Sequence, residues 1–138
     1  MYQMELWQKI EKGLSLINEI FEKTNEDNYK VLMPEITNII IGQDYEQVFS
    51  ETQEDFFKKG LEYAIKKHLG DYRDNGLPYA VHPVSTAYLL ATWNRPLYLV
   101  VSGLLHDVPE HQGIDELNNI NSRFKEKVSE IIDSVSIF

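Results

Sequence analysis

Cysteine is absent from the 138 residues. That removes disulfides and thiolate metal sites, so any metal must be held by His, Asp and Glu. Basic residues are also scarce: 13 Lys and Arg face 22 Asp and Glu, for a net charge of −9. Nonspecific binding to nucleic acid or to anionic membranes rests on counterion release by Lys and Arg, so this balance argues against both as partners. No apolar run approaches the roughly 20 residues needed to span a bilayer. The opening stretch MYQMELWQKIEKG lacks the basic-then-apolar order of a signal peptide. The reading is a soluble, cytoplasmic protein. A small phosphorylated substrate remains compatible with the acidic average, provided that a local basic group or a bound metal outweighs it.

What is present is enough for one domain with a real core, since 43% of the residues are hydrophobic and they are spread along the chain. Leu6, Ile10, Leu14, Ile17, Ile20 and Phe21 are spaced by three and four, which predicts an amphipathic helix over 4–22. A polar break at 23–28 precedes a second helical stretch at 29–42, with Pro34 placed in a first turn. Ser50 or Thr52 can cap a third helix running to about His68. The stretch GDYRDNGLPYAVHP (70–83) reads as an ordered loop with a turn at Asn75-Gly76. A helix is expected from Pro83, broken by NRP at 94–96. Residues 97–105, LYLVVSGLL, are apolar at nearly every position. Periodicity cannot separate strand from helix there, but no second β-rich run exists to pair with them, so a helix is expected. The final segment places Phe124, Val128, Ile131, Ile132 and Val135 on one helical face. The fold class is all-α.

The chemistry concentrates in LLHDVPEH, 104–111, where two histidines, an aspartate and a glutamate follow that apolar run. Titratable groups at the end of a core segment are costly unless paired or ligating. Imidazoles with a carboxylate suit a divalent transition ion, which makes bound water more acidic. His106 and Asp107 can both serve one ion only where a helix end lets the two side chains turn together. A third ligand must come from elsewhere, and His82 is the candidate. Glu110, three residues after Asp107, can orient or deprotonate water, although Pro109 interrupts a regular helix between them. Taken singly, each residue has a plainer reading. A lone histidine is usually hydrogen-bonded, Arg73-Asp74 a solvated pair, and Tyr79, Tyr88 and Tyr98 packing residues.

The combination is more specific. HLGDYRDNGLPYAVHPVSTAYLLA, then VVSGLLHDVPE, then INSRFKEKVSEIIDSVS resemble, in order, the hydrolase domain of the RelA/SpoT family, a branch of the HD-domain superfamily. The resemblance covers about residues 60–138, and His82 precedes His106 by 24 residues, as in the family. It implies an all-α HD bundle, with residues 51–138 as the hydrolase domain and 1–50 as an N-terminal helical extension. That extension either covers the bundle or forms the contact of a homo-oligomer. It implies manganese-dependent removal of the 3′-pyrophosphate from guanosine tetra- or pentaphosphate, a phosphorylated guanine nucleotide being the partner. Residue by residue, His82, His106 and Asp107 are implied metal ligands, Arg73 the arginine that packs on the base, and Glu110 the first of two residues handling the attacking water.

Several positions depart from the family. His111 stands where the second acid is expected, so an imidazole takes the place of a carboxylate in proton transfer. Asp71 replaces a glutamine, and Asp74 a frequent basic residue. The family's fourth metal ligand is an aspartate on a later helix. The chain reaches Phe138 before that position, its ending VSIF reads as a cut, and Asp133 aligns with a position that is not a ligand. These departures set an alternative beside the hydrolase: a degenerate, inactive HD domain serving as a nucleotide-binding or protein-interaction module.

Overall fold

The computed structural model describes residues 2–24, 28–42, 51–113, 115–124 and 128. Among these it contains seven helices and no strands: α1 (Tyr2–Lys23), α2 (Tyr29–Ile41), α3 (Glu51–Lys67), α4 (Val81–Thr92), α5 (Leu97–Leu105), α6 (Val108–Gln112) and α7 (Glu116–Arg123). The all-α class is as expected. No described helix is long and apolar enough to cross a membrane.

Helix α5 is the centre. Val100, Val101, Ser102, Gly103, Leu104 and Leu105 are all buried, so the unbroken apolar run is a helix covered on every side rather than a strand. It packs against α3 and α4. Glycines set the approach on both sides. A Cβ on Gly103 would lie 2.8 Å from Leu90 Cδ1 of α4, and one on Gly60 of α3 would lie 3.0 Å from Val101 Cγ1. Around this helix α3 presents Phe57, Leu61, Ala64 and Ile65 to the core, with His68 buried just past its end. Each fully buried side chain of this size contributes roughly 1.5–3 kcal/mol of transfer free energy.

Helices α1 and α2 share that core. Ile17, Phe21, Leu32, Ile36 and Ile40 cluster with Leu61, Val84 and Leu104. Gly13 of α1 lies against Tyr88 of α4, whose hydroxyl donates to the Lys9 carbonyl at 2.9 Å. The division at residue 50 lies outside the described residues, as do the cap at Ser50, the side chain of Thr52, and Ile131, Ile132 and Val135.

Three local expectations are corrected. Pro34 is the sixth residue of α2, not in its first turn. Its ring deprives the Lys30 carbonyl of its helical donor. Helix α4 begins at Val81, two residues before Pro83, so His82 belongs to a helical first turn instead of the preceding loop. The last segment is not one helix: α7 ends at Arg123, and Phe124 is extended (φ −119°, ψ −170°) while its N–H closes on the Ile120 carbonyl at 2.7 Å. Phe124 and Val128 are nevertheless buried, as expected. Phe124 packs edge-on against Phe56 and Tyr63.

Candidate metal centre

The turn between α5 and α6 places His106 and Asp107 together. Leu105 ends one helix and Val108 begins the next, with Pro109 in the new first turn. A proline is acceptable there because first-turn N–H groups have no helical acceptor. The interruption expected from Pro109 is thus a break between two helices, and it frees both side chains to point the same way. Asp107 is the N-cap residue of α6 and Glu110 lies in its first turn, exposed.

The third residue arrives from α4. His82 Nε2 is 3.1 Å from Asp107 Oδ2, and His106 Nε2 is 3.1 Å from Asp107 Oδ1. The two imidazole rings are 5.3 Å apart, edge to face. One potential ligand atom from each of His82, His106 and Asp107 lies within 4.8 Å of the others. The side chains are 37%, 23% and 9% exposed respectively, so the group opens to solvent on the His82 side and is closed behind Asp107.

Hydrogen bonding decides what this arrangement can hold. His106 Nδ1 lies 2.6 Å from the Gly103 carbonyl. A carbonyl only accepts, so Nδ1 carries the proton and a neutral His106 presents the lone pair of Nε2 to Asp107 Oδ1. Two acceptors facing each other at 3.1 Å repel unless a positive charge lies with them, either a second proton on the ring or a metal cation. Anchoring one ring nitrogen to a backbone carbonyl fixes the tautomer and the direction of the other nitrogen's lone pair, as it does in metal-binding histidines. The donor set of two imidazoles and one carboxylate fits a divalent transition ion and leaves the group with net positive charge once it is bound.

A small hairpin-like loop builds the mouth. Arg73 N–H donates to the Leu77 carbonyl and Tyr79 N–H to the Asp71 carbonyl, each at 2.8 Å, with Tyr72 bridged to Pro78. The expected turn is present: Asn75 Oδ1 accepts from Leu77 N–H at 3.0 Å, and Gly76 has φ +86°, a value that suits glycine. A cavity of about 430 Å³ is lined by Tyr72, Arg73, Asp74, Asn75, Tyr79 and His82. Arg73, the implied base-packing residue, therefore shares a cavity with the implied ligand His82. Asp74 sits at the same mouth, where its charge lowers the local positive potential.

Tyr79 is the residue that sequence reasoning missed, having been read as packing. Its hydroxyl donates to Asp107 Oδ2 at 2.9 Å. Burial, followed by the bond to Asp107, pushes that hydroxyl up to about 12, so it stays a donor across the neutral range. The buried ring of His68 lies 5.0 Å from the Tyr79 ring, and Arg73 Cζ lies 5.8 Å from it on the loop side. The side chain of His111 lies outside the described residues.

Comparisons with known proteins identify the family. The HD-domain family model matches residues 60–137. A guanosine-3′,5′-bis(diphosphate) 3′-pyrophosphohydrolase of Borreliella burgdorferi is 32% identical over 114 residues, covering 74% of this chain and 17% of the relative. The enzyme of the same name from Vibrio cholerae is 31% identical over 96 residues, covering 70% and 13%. A GTP pyrophosphokinase of Myxococcus xanthus is 34% identical over 82 residues, covering 59% and 11%. The chain thus spans less than a fifth of the length of these relatives. With the family match over most of the chain and a histidine-aspartate pair at the end of its central helix, the chain belongs to the HD-domain family, in its RelA/SpoT-type branch.

Proposed function

We propose that the chain is a metal-dependent phosphohydrolase domain that removes the 3′-pyrophosphate of guanosine tetra- or pentaphosphate in the cytoplasm, with manganese as the ion. The observation that carries this reading is the close approach of His106 Nε2 and Asp107 Oδ1 beside His82, opening toward the cavity that Arg73 lines. The names of the relatives from Borreliella burgdorferi and Vibrio cholerae supply the substrate class.

His82, His106 and Asp107 hold the ion. When bound, a divalent cation supplies charge stabilisation of phosphoryl oxygens and a more acidic water. It also supplies the local positive field that a chain of net charge −9 otherwise lacks for a polyanion. Arg73 lays its planar guanidinium on the guanine, which fixes the nucleotide while leaving its phosphates directed toward His82. The Glu110 carboxylate takes a proton from the attacking water. The new bond forms to the phosphorus attached at the 3′ oxygen, the bond to that oxygen breaks, and pyrophosphate departs. The 3′ oxygen leaves with a proton, returned by the His111 imidazole at the family's acidic position.

The test is incubation of the purified chain with guanosine tetraphosphate and manganese, followed by chromatography of the products. Pyrophosphate and guanosine 5′-diphosphate are expected in equal amounts, and both disappear in His106→Ala or with excess chelator. Nucleotide binding by calorimetry without product would replace the hydrolase with the inactive binding module.

A further inference from the structure

Two halves of the site meet on one aromatic ring. On one side Arg73 Cζ lies 5.8 Å from the Tyr79 ring centroid, within the range of a cation–π contact. On the other, the Tyr79 hydroxyl donates to Asp107 Oδ2 at 2.9 Å. The ring is wedged between imidazoles, His82 edge-on at 5.8 Å and His68 tilted at 5.0 Å. Its backbone is fixed by the N–H bond to the Asp71 carbonyl. The ring therefore cannot swing without disturbing either the platform beneath Arg73 or the orientation of the Asp107 carboxylate.

We propose that Tyr79 is a positioning residue that couples the two binding events: its ring carries Arg73 where a base is gripped, and its hydroxyl holds Asp107 facing His82 and His106. Seating a base under Arg73 orders the ring, and an ordered ring orders the carboxylate. Nucleotide and divalent cation each bind more tightly when the other is present, by the same factor. This inference rests on the metal-and-nucleotide reading proposed above.

Calorimetry with manganese, and with guanosine 5′-diphosphate as a nucleotide that is not turned over, tests it. In the unaltered chain manganese is expected to tighten nucleotide binding by about 5-fold or more. Tyr79→Phe keeps the ring and loses the hydroxyl. It should weaken manganese by about 10-fold or more, leave metal-free nucleotide affinity unchanged, and abolish the tightening. Tyr79→Leu removes ring and hydroxyl and should weaken both ligands separately. Arg73→Ala, at an exposed position, should keep manganese affinity while abolishing the tightening. A purely structural role for Tyr79 predicts instead that the Phe variant matches the unaltered chain in all three measurements, and that result overturns the coupling alone. Failure of the unaltered chain to take up manganese overturns both the coupling and the reading on which it rests.

Discussion

Asp107 and Glu116 are both buried carboxylates, and each accepts a hydrogen bond from a tyrosine hydroxyl, Tyr79 in one case and Tyr63 in the other. Their remaining partners differ. Glu116 Oε1 accepts from the Lys67 ammonium at 2.9 Å, which also lies over the Tyr63 ring. Asp107 meets two imidazole nitrogens, each at 3.1 Å. An ammonium is a full positive charge at neutral pH, so the Glu116 cluster is electrically complete and ties α3 to the start of α7. Neutral His106, with Nδ1 committed to the Gly103 carbonyl, brings a lone pair instead, so its approach to Asp107 is complete only when a proton or a metal cation joins it. The same carboxylate–tyrosine pair is a fastening in one place and part of a candidate site in the other, and the neighbouring charge makes the difference.

The largest expected effect comes from removing the carboxylate charge at Asp107. A bound ligand stabilises a fold by about 2.7 kcal/mol when present at 100 times its dissociation constant, so manganese should raise the melting temperature of the unaltered chain by several degrees. Asp107→Asn should lose that rise altogether. Its manganese affinity should fall more than the roughly 10–100-fold typical of losing a residue that only supports a ligand. Glu116→Gln should retain the full manganese-dependent rise. An equal rise in Asp107→Asn, read by differential scanning calorimetry, would erase the distinction between the two clusters.

The next effect in size sits at the other carboxylate. Burial alone would raise the Glu116 carboxyl, but the hydrogen bonds from Tyr63 and Lys67 outweigh it and hold the group below its ordinary 4.5. A carboxyl depressed in the folded state stabilises the fold above the unfolded value, and that contribution is lost as pH falls from about 4.5 through the folded value. Glu116→Gln, which keeps one acceptor but no charge, should cost about 1–2 kcal/mol at neutral pH. The gap to the unaltered chain should narrow as acid is added, measured as urea midpoints across a pH series. A gap that stays constant below pH 4.5 would show that Glu116 is not the titrating fastening.

How far these two clusters could be read in advance follows from where their partners lie. The grouping of His82, His106 and Asp107 was legible because an adjacent His-Asp pair after an apolar run, with a histidine 24 residues earlier, resembles the HD-family pattern. Glu116 was not, since Tyr63 and Lys67 lie 53 and 49 residues away and no local pattern joins them. Tyr79 falls between. Asn75-Gly76 marks a turn, and a hairpin closing there sets Asp71 opposite Tyr79, but which way the ring faces depends on the buried His68 behind it. Helix α1 was legible from its apolar spacing and α5 from the want of a β-rich partner for its run, whereas prolines misplaced the first turns read for α2 and α4. A proline fits any position of a first turn, so Pro83 marked the turn of α4 without fixing its first residue. Pro34 shows the limit of even that rule, because the packing of Leu32, Ile36 and Ile40 outweighs one lost helical bond.

The smallest effect tests whether the candidate metal site depends on helix spacing as well as on His82, His106 and Asp107. Gly103 lies where α5 approaches α4, and its carbonyl anchors His106 while α4 supplies His82. Alanine there gains helix propensity of about 0.8–1 kcal/mol and meets Leu90 Cδ1 at 2.8 Å, the far end of a side chain that can give way. Overpacking costs about 1–3 kcal/mol, so Gly103→Ala should lose only about 0–2 kcal/mol of stability. Because that methyl pushes on the gap the two histidines bridge, manganese affinity should fall by a few-fold. The acid limb of the stability curve, set by α3 and α7 through Glu116, should not move. Unchanged manganese affinity alongside a shifted acid limb would mean that the two clusters are not mechanically separate, and the division between fastening and site would then rest on charge alone.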